Sequence, residues 1–178
     1  MGDEKVLHRL PTARGRPSDL AVRQLAALTA DSPGVLGELG LTVLQAWQRV
    51  SEAQGRGRGE VVKRLGDGLM GAFADAPSAA EAALEAGERA AEIELAGYTP
   101  HLRSGIHLGR PRKIGGDYFG VDVNIAARLA EAAEPGEVLV SDRTLKALDP
   151  HAIVATRRSF KAKGAPADLA AHAVRRQV

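Results

Sequence analysis

Two polar residues on one predicted helix have the types and the spacing to act on a phosphate group. Asn124 and Arg128 are four residues apart in the stretch VDVNIAARLAEAA, whose apolar residues recur at helical intervals. Residues at i and i+4 lie on one face of a helix. The guanidinium of Arg128 offers permanently charged donors to a developing oxyanion, and the amide of Asn124 can orient a sugar. Taken alone, the same pair is also typical of an ordinary polar helix surface.

A lysine and an aspartate in the segment KRLGDG form a second candidate group. Asp-Gly between two β-rich runs predicts a hairpin, so Asp67 is expected at or beside its tip, with Lys63 on the first strand. A carboxylate flanked by glycines can reach a hard divalent cation, and glycine lets phosphates approach the backbone closely. Asp67 could equally supply only the turn chemistry that any Asp-Gly hairpin uses.

The N-terminal half of the chain supplies the first elements around these residues. The segment 20–31 fits either a helix or the first strand of a sheet, and VLGELGLTVLQAWQRVSEAQ favours one or two helices. Ser78 and Glu81, which follow Pro77, predict a capping box that opens an Ala/Glu-rich helix running to about Gly97.

The C-terminal half alternates strands with helices. Strands are predicted at LRSGIHLG, EVLVS, AIVATRRSF and ADLAAHAV, and DRTLKAL predicts a short helix capped by Ser141 or Asp142. Pro135-Gly136 ends the helix that carries Asn124. Helices that alternate with hairpins predict an α+β fold in which helices pack on a mixed or antiparallel sheet.

The composition is that of an ordinary globular domain. The 178 residues are 44% hydrophobic and 26% charged, with a net charge of only +2, so no nucleic-acid partner is expected. Without cysteine, any metal must be held by oxygen or imidazole ligands. The chain has neither an apolar run of about 18 residues nor a secretory signal, which predicts a cytoplasmic protein with no membrane segment. We expect one domain over residues 19–178, preceded by a tail or connector over residues 1–18.

The stretch GGDYF, residues 115–119, allows a different interpretation. It resembles the GGDEF turn of enzymes that join two GTP molecules. That interpretation requires an acidic residue where Tyr118 stands, and a strand hairpin where the helix of Asn124 begins. It rests on these five residues only.

Four blocks together resemble the catalytic domain of class III adenylate and guanylate cyclases. They are VVKRLGDGLMGAF, LRSGIHLG, GGDYFGVDVNIAARLAEAAEPGEVLVS and KAKGAPADLAAHAV, which cover residues 60–174 in the family's order and spacing. The resemblance implies a ferredoxin-like α+β fold with a central, mostly antiparallel sheet flanked by helices. It also implies a head-to-tail homodimer with two active sites at the subunit interface.

The resemblance further implies roles for individual residues. Lys63 and Asp117 match the pair that selects adenine, and Asn124 and Arg128 match the pair that acts on the transition state. Lys163, before Gly in AKG, resembles the lysine that meets the triphosphate.

Two aspartates per site hold two Mg²⁺ or Mn²⁺ ions in this family. Asp67 matches the second of them. The first is nominated as Asp31 in LTADSPG, with Asp19 in PSDL as the competing candidate. The third alternative is that no functional first aspartate is present.

The implied function is that of an adenylate cyclase. ATP would be converted to 3′,5′-cyclic AMP and pyrophosphate by attack of the ribose 3′-oxygen on the α-phosphorus, assisted by two metal ions. The alternative is a degenerate domain that binds nucleotide or regulates with little turnover, because the first metal aspartate matches the family poorly.

Overall fold

The computed structural model of the protein describes residues 23–30, 59–65, 68–94, 99–160 and 169–177. Several predictions from sequence concern residues outside these ranges: the tail over residues 1–18, the helices over residues 35–54, and the candidate ligands Asp19, Asp31, Asp67 and Lys163.

Within the described ranges, the chain forms nine strands and three helices. In chain order they are β1 Arg23–Ala30, β2 Gly59–Leu65, β3 Gly68–Phe73, α1 Ala76–Ala91, β4 Leu102–Gly109, β5 Arg112–Ile114, β6 Asp117–Phe119, α2 Val121–Ala132, β7 Val138–Ser141, α3 Asp142–Leu145, β8 Ile153–Arg158 and β9 Ala171–Arg176.

Seven of the strands form one sheet in the order β2-β3-β1-β4-β7-β9-β8. Every neighbouring pair is antiparallel except β4 and β7. The segment that fitted either a helix or a strand is strand β1, which pairs with β3 on one side and β4 on the other. Two flanking partners satisfy its backbone groups and override the helical preference of its leucines and alanines. The predicted α+β fold with a mostly antiparallel sheet is confirmed.

Helix α1 packs on the sheet through alanines. Its fully buried residues include Ala79, Ala82, Ala83 and Ala86, which share a core cluster with Phe73 and other large side chains from the strands. Small side chains let the helix approach the sheet closely, and the strands supply the bulk that fills the remaining space. This arrangement explains how a chain with few aromatic residues still forms a dense core.

The start of α1 differs from the predicted capping box. Asp75 is the N-cap, and its Oδ1 accepts a hydrogen bond from the backbone N of Ser78 at 2.8 Å. Ser78 is instead a buried residue of the first turn. Proline is tolerated in the first turn of a helix, so the helix begins before Pro77 rather than after it. The end also differs, since α1 ends at Ala91 and not near Gly97.

Helix α2 lies directly against β4 because two glycines leave room for it. A Cβ atom added to Gly105 would lie 2.2 Å from the backbone N of Ala130. One added to Gly109 would lie 2.3 Å from the Cβ of Asp122. No side chain fits at either contact, so the helix axis is fixed relative to the strand at two points. No helix in the described part of the chain is long and apolar enough to cross a membrane.

We predict that Gly105→Ala lowers the free energy of unfolding by about 3 kcal/mol, because the added methyl group meets the helix backbone, which cannot move aside. The matched control is Gly87→Ala within α1, where an added Cβ meets nothing within 4 Å. That variant should gain about 0.5–1 kcal/mol from helix propensity. Urea unfolding of the three proteins measures both effects. Equal stability of the Gly105 and Gly87 variants would contradict the close helix contact.

Candidate active site

Lys63 and Asp117, which are 54 residues apart in sequence, form an ion pair. The Lys63 Nζ lies 2.6 Å from the Asp117 Oδ2, and the two side chains are 32% and 29% exposed. The hydrogen bond from Lys63 is the main cause that lowers the pKa of Asp117, and the backbone N of Tyr118 also donates to this carboxylate at 2.7 Å. Asp117 is therefore held ionised, with a cationic donor at its side. The two residues predicted to act as a pair are together in the structure.

A tight hairpin presents Asp117. Strands β5 and β6 pair with Ile114 opposite Asp117, so the turn consists of Gly115 and Gly116 alone. Their φ angles are 59° and 86°, which is the left-handed conformation that a two-residue hairpin of this kind requires. The GGDYF stretch is thus a hairpin turn, but Asn124 after it lies in helix α2 and not in a strand. The GGDEF interpretation fails at this point.

A β-bulge turns Lys63 toward that hairpin. Along β2, Val61 pairs with Gly71 and Lys63 pairs with Met70, so Val62 is an extra residue without a partner on β3. In a regular strand, Glu60 and Lys63 would point to opposite faces of the sheet. The extra residue puts both on the face that Met70 and Ala72 occupy. No local pattern in the sequence predicts this bulge.

Asn124 and Arg128 lie on the solvent side of α2, as the helical spacing predicted. Both are exposed, whereas Ile125 and Leu129 on the other side are buried in the core. The Arg128 guanidinium forms an exposed ion pair with Glu131. Exposed pairs of this kind contribute little stability, so the guanidinium can exchange this partner for a phosphate oxygen.

The predicted metal ligands adjoin two neighbouring strand ends. Asp31 is bonded to Ala30, the last residue of β1, and Asp67 is bonded to Gly68, the first residue of β3. Thr29 of β1 pairs with Gly68 of β3. Both aspartates lie outside the described residues. Within the described ranges, no three His, Asp or Glu residues are grouped closely enough to hold a metal.

A buried histidine connects α2 to the sheet. The His107 Nε2 lies 3.1 Å from the Asp122 Oδ1, and its Nδ1 lies 2.9 Å from the Ser141 Oγ. The second oxygen of Asp122 accepts a hydrogen bond from the backbone N of Arg110 at 2.9 Å. Burial is the main cause that lowers the pKa of His107. This network ties the first turn of the helix that carries Asn124 to strand β4. The only sequence signal for it is an acidic residue in the first turn of a predicted helix.

Comparison with known proteins identifies the family of this fold and site. The family sequence model of the adenylate and guanylate cyclase catalytic domain matches residues 38–174 of this chain. Putative adenylate cyclase 3 of Rhizobium meliloti strain 1021 is 41% identical over 110 residues, which are 57% of this chain and 18% of that protein. An adenylate cyclase of Streptomyces coelicolor is 36% identical over 138 residues, which are 71% of this chain and 34% of that protein. The chain thus spans about a fifth and about a third of the length of these two relatives.

A solved structure supports the same assignment. The crystal structure of an adenylate/guanylate cyclase/hydrolase from Silicibacter pomeroyi superposes with a TM-score of 0.69 at 27% sequence identity. The superposition covers 85% of this chain and 96% of that one. The fold therefore matches over nearly the whole of the solved chain.

We predict that His107 makes the stability depend on pH below its ordinary pKa of about 6.5. The pKa of His107 is lower in the folded protein than in the unfolded chain. At pH values between these two pKa values, the unfolded chain therefore binds more protons than the folded protein does. The free energy of unfolding should therefore fall as the pH falls from 7 toward 5. His107→Gln keeps a hydrogen-bond donor for Asp122 and cannot titrate. The free energy of unfolding of this variant should therefore fall less over the same pH range. Urea titrations at several pH values measure this difference, and parallel curves for the two proteins would contradict it.

Proposed function

The chain belongs to the adenylate and guanylate cyclase catalytic domain family, and from this membership we propose that it converts ATP to 3′,5′-cyclic AMP and pyrophosphate. The observation that carries the choice of ATP is the ion pair between Lys63 and Asp117. Because the pair combines a donor, Lys63, with an acceptor, Asp117, it suits the hydrogen-bonding edge of adenine better than that of guanine.

The pair distinguishes the two purines by their hydrogen-bond patterns. Adenine presents an amino group, which donates to the Asp117 carboxylate, beside a ring nitrogen, which accepts from Lys63. Guanine presents a carbonyl oxygen where adenine has the amino group, so it would place an acceptor against Asp117. A buried or half-buried acceptor without a donor is costly, and GTP is therefore disfavoured.

The reaction is a displacement at the α-phosphorus. The ribose 3′-oxygen forms a bond to that phosphorus, its proton passes to solvent, and the bond to the pyrophosphate oxygen breaks. Asn124 orients the ribose, and Arg128 donates to the oxygens on which negative charge develops. Lys163, outside the described residues, would neutralise part of the triphosphate charge.

We propose Asp31 and Asp67 as the oxygen ligands for the metal ions of this scheme. In the sequence, Asp31 follows Ala30, the last residue of β1, and Asp67 precedes Gly68, which pairs with Thr29 of β1. Carboxylates are the ligands that Mg²⁺ and Mn²⁺ prefer. A bound pair of these ions would supply activation of the ribose oxygen and neutralisation of the leaving group.

A second copy of the chain is the partner that would complete the site. Asn124 and Arg128 lie on an exposed helix face. Large apolar side chains are also exposed on the β5–β6 hairpin that carries Asp117 and at the start of α2, at Ile114, Phe119 and Val121. Exposed apolar groups in one region mark an association surface. We infer a homodimer in which one subunit supplies the metal aspartates and the other supplies the base-selecting and transition-state residues.

The competing proposal is a domain that binds nucleotide with little turnover. It is favoured by the weak match of LTADSPG, which contains Pro33, to the family's segment around the first metal aspartate. One carboxylate alone would hold two cations poorly. The two proposals differ in turnover and agree in nucleotide binding.

We predict that the pure protein forms cyclic AMP and pyrophosphate from ATP when Mn²⁺ is present and that EDTA stops the reaction. Asp31→Ala and Asp67→Ala should each reduce the rate to background, because each removes a metal ligand. Asp19→Ala tests the competing candidate for the first ligand, and it should keep the wild-type rate because Asp31 is the proposed ligand. Chromatographic detection of both products measures the reaction. Full activity of Asp67→Ala would exclude its metal role, and ATP binding without turnover in the wild type would favour the degenerate domain.

We predict that Lys63→Glu combined with Asp117→Ser shifts the preference from ATP toward GTP. The new carboxylate can accept from the guanine edge, and the serine can donate to the guanine carbonyl. The ratio of kcat/KM for ATP to that for GTP should fall by at least about tenfold. Each single variant leaves one member of the ion pair without its partner, so each should lower kcat/KM for both ATP and GTP. An unchanged ratio in the double variant would show that Lys63 and Asp117 do not select the base.

A further inference from the structure

The β5–β6 hairpin is held to the rest of the protein by side chains. It forms its own two-stranded sheet, and no ladder joins it to the seven-stranded sheet within the described residues. An isolated two-stranded hairpin is at best marginally stable in water. The position of Asp117 at the start of β6 therefore depends on the side-chain contacts that hold the hairpin.

Tyr118 provides the buried part of those contacts. Its side chain is 4% exposed and belongs to a cluster with Met70 and Ala72 of β3 and Ala126 of α2. Its hydroxyl donates a hydrogen bond to the Glu60 Oε1 of β2 at 2.7 Å. Through this one side chain the hairpin contacts β2, which carries Lys63, the neighbouring strand β3, and α2, which carries Asn124.

The bulge in β2 makes this contact compatible with the ion pair. Glu60 lies opposite Ala72 and Lys63 lies opposite Met70, so both face the hairpin from one side of the strand. Along β6, Asp117 meets Lys63 and the next residue, Tyr118, meets Glu60. Two adjacent residues of the hairpin are therefore bound to one strand at two points, which restrains the hairpin more than either contact alone.

We propose that Tyr118 is a positioning residue for purine recognition, and that its hydrogen bond to Glu60 fixes the Asp117 carboxylate at the distance from Lys63 that adenine requires. The inference rests on the proposed function, since it assigns the selection of adenine to Asp117. With the bond broken, the Lys63–Asp117 pair and the exposed Lys113–Glu60 pair still join the hairpin to β2, but the hairpin is freer to change its angle to that strand. A carboxylate that can rotate away from the guanine carbonyl excludes GTP less strictly.

Lys113 serves as a comparison, since it also binds Glu60. Its Nζ lies 2.8 Å from the same Glu60 Oε1 and 4.9 Å from the centre of the Tyr118 ring. The two side chains of this ion pair are 45% and 49% exposed, and exposed pairs add little to stability. The buried ring and its hydroxyl should hold the hairpin, and the exposed ammonium should not.

The test compares Tyr118→Phe with the control Lys113→Gln. Tyr118→Phe keeps the ring in the core and removes only the bond to Glu60, so the variant should fold. We expect faster amide hydrogen exchange over residues 112–119, with β4 unchanged. We also expect the kcat/KM ratio of ATP to GTP to fall by about fivefold to tenfold. Lys113→Gln should stay within about twofold of the wild type in both measurements.

The two measurements separate this inference from the proposed function. Hydrogen exchange requires no turnover, so unchanged exchange in Tyr118→Phe overturns the inference whether or not the protein is active. Faster exchange with an unchanged nucleotide ratio overturns the role in selection. If Lys113→Gln has the same effect as Tyr118→Phe, the conclusion that the buried Tyr118 hydroxyl holds the hairpin is overturned. If the wild type forms no cyclic nucleotide, the proposed function fails, and with it the selective role, while the exchange data still decide whether Tyr118 holds the hairpin.

Discussion

The contact between α2 and β4 is the constraint on which the rest of the site depends. At Gly105, the helix backbone lies so close to the strand that no side chain fits between them. This contact orients the helix, so that Ile125 and Leu129 enter the core while Asn124 and Arg128 face solvent. The bonds from Asp122 to His107 and to the backbone of Arg110 hold the first turn in place, so rotation about the contact is also opposed.

The Lys63–Asp117 pair, which we propose to recognise the base, depends on a weaker kind of support. Lys63 belongs to the large sheet, whereas Asp117 belongs to a separate hairpin of three-residue strands. Local stability follows buried contacts and backbone ladders, and this hairpin has few of either. The geometry of the pair is therefore set by the bulge in β2 and by the few side chains that cross to the hairpin. Lys63 is thus held by a strand of the large sheet, whereas the position of Asp117 depends on single side chains.

Strong local signals explain what could be predicted from the sequence. The helical spacing of Asn124 and Arg128 and the Asp-Gly hairpin both correspond to elements in the structure, and the four family blocks led to Lys63 and Asp117 as a pair. The capping residue of α1 was missed because Pro77 fits the first helical turn as well as the position before it. Strand β1 stayed ambiguous because its type is decided by two distant partners. The contacts of His107 and Tyr118 depend on register and on a bulge, which are set by tertiary packing and leave no local pattern.

The mutual neutralisation of Lys63 and Asp117 has a consequence for how the proposed site divides its work. With the Asp117 carboxylate kept ionised by the ammonium beside it, the pair carries little net charge. It therefore attracts a purine by its pattern of donor and acceptor, and gains nothing from the charge of the triphosphate. That charge must be met by other groups, such as Arg128, Lys163 and any bound cation. In the proposed site, base preference and phosphate affinity are consequently assigned to separate residues, so a change in one need not alter the other.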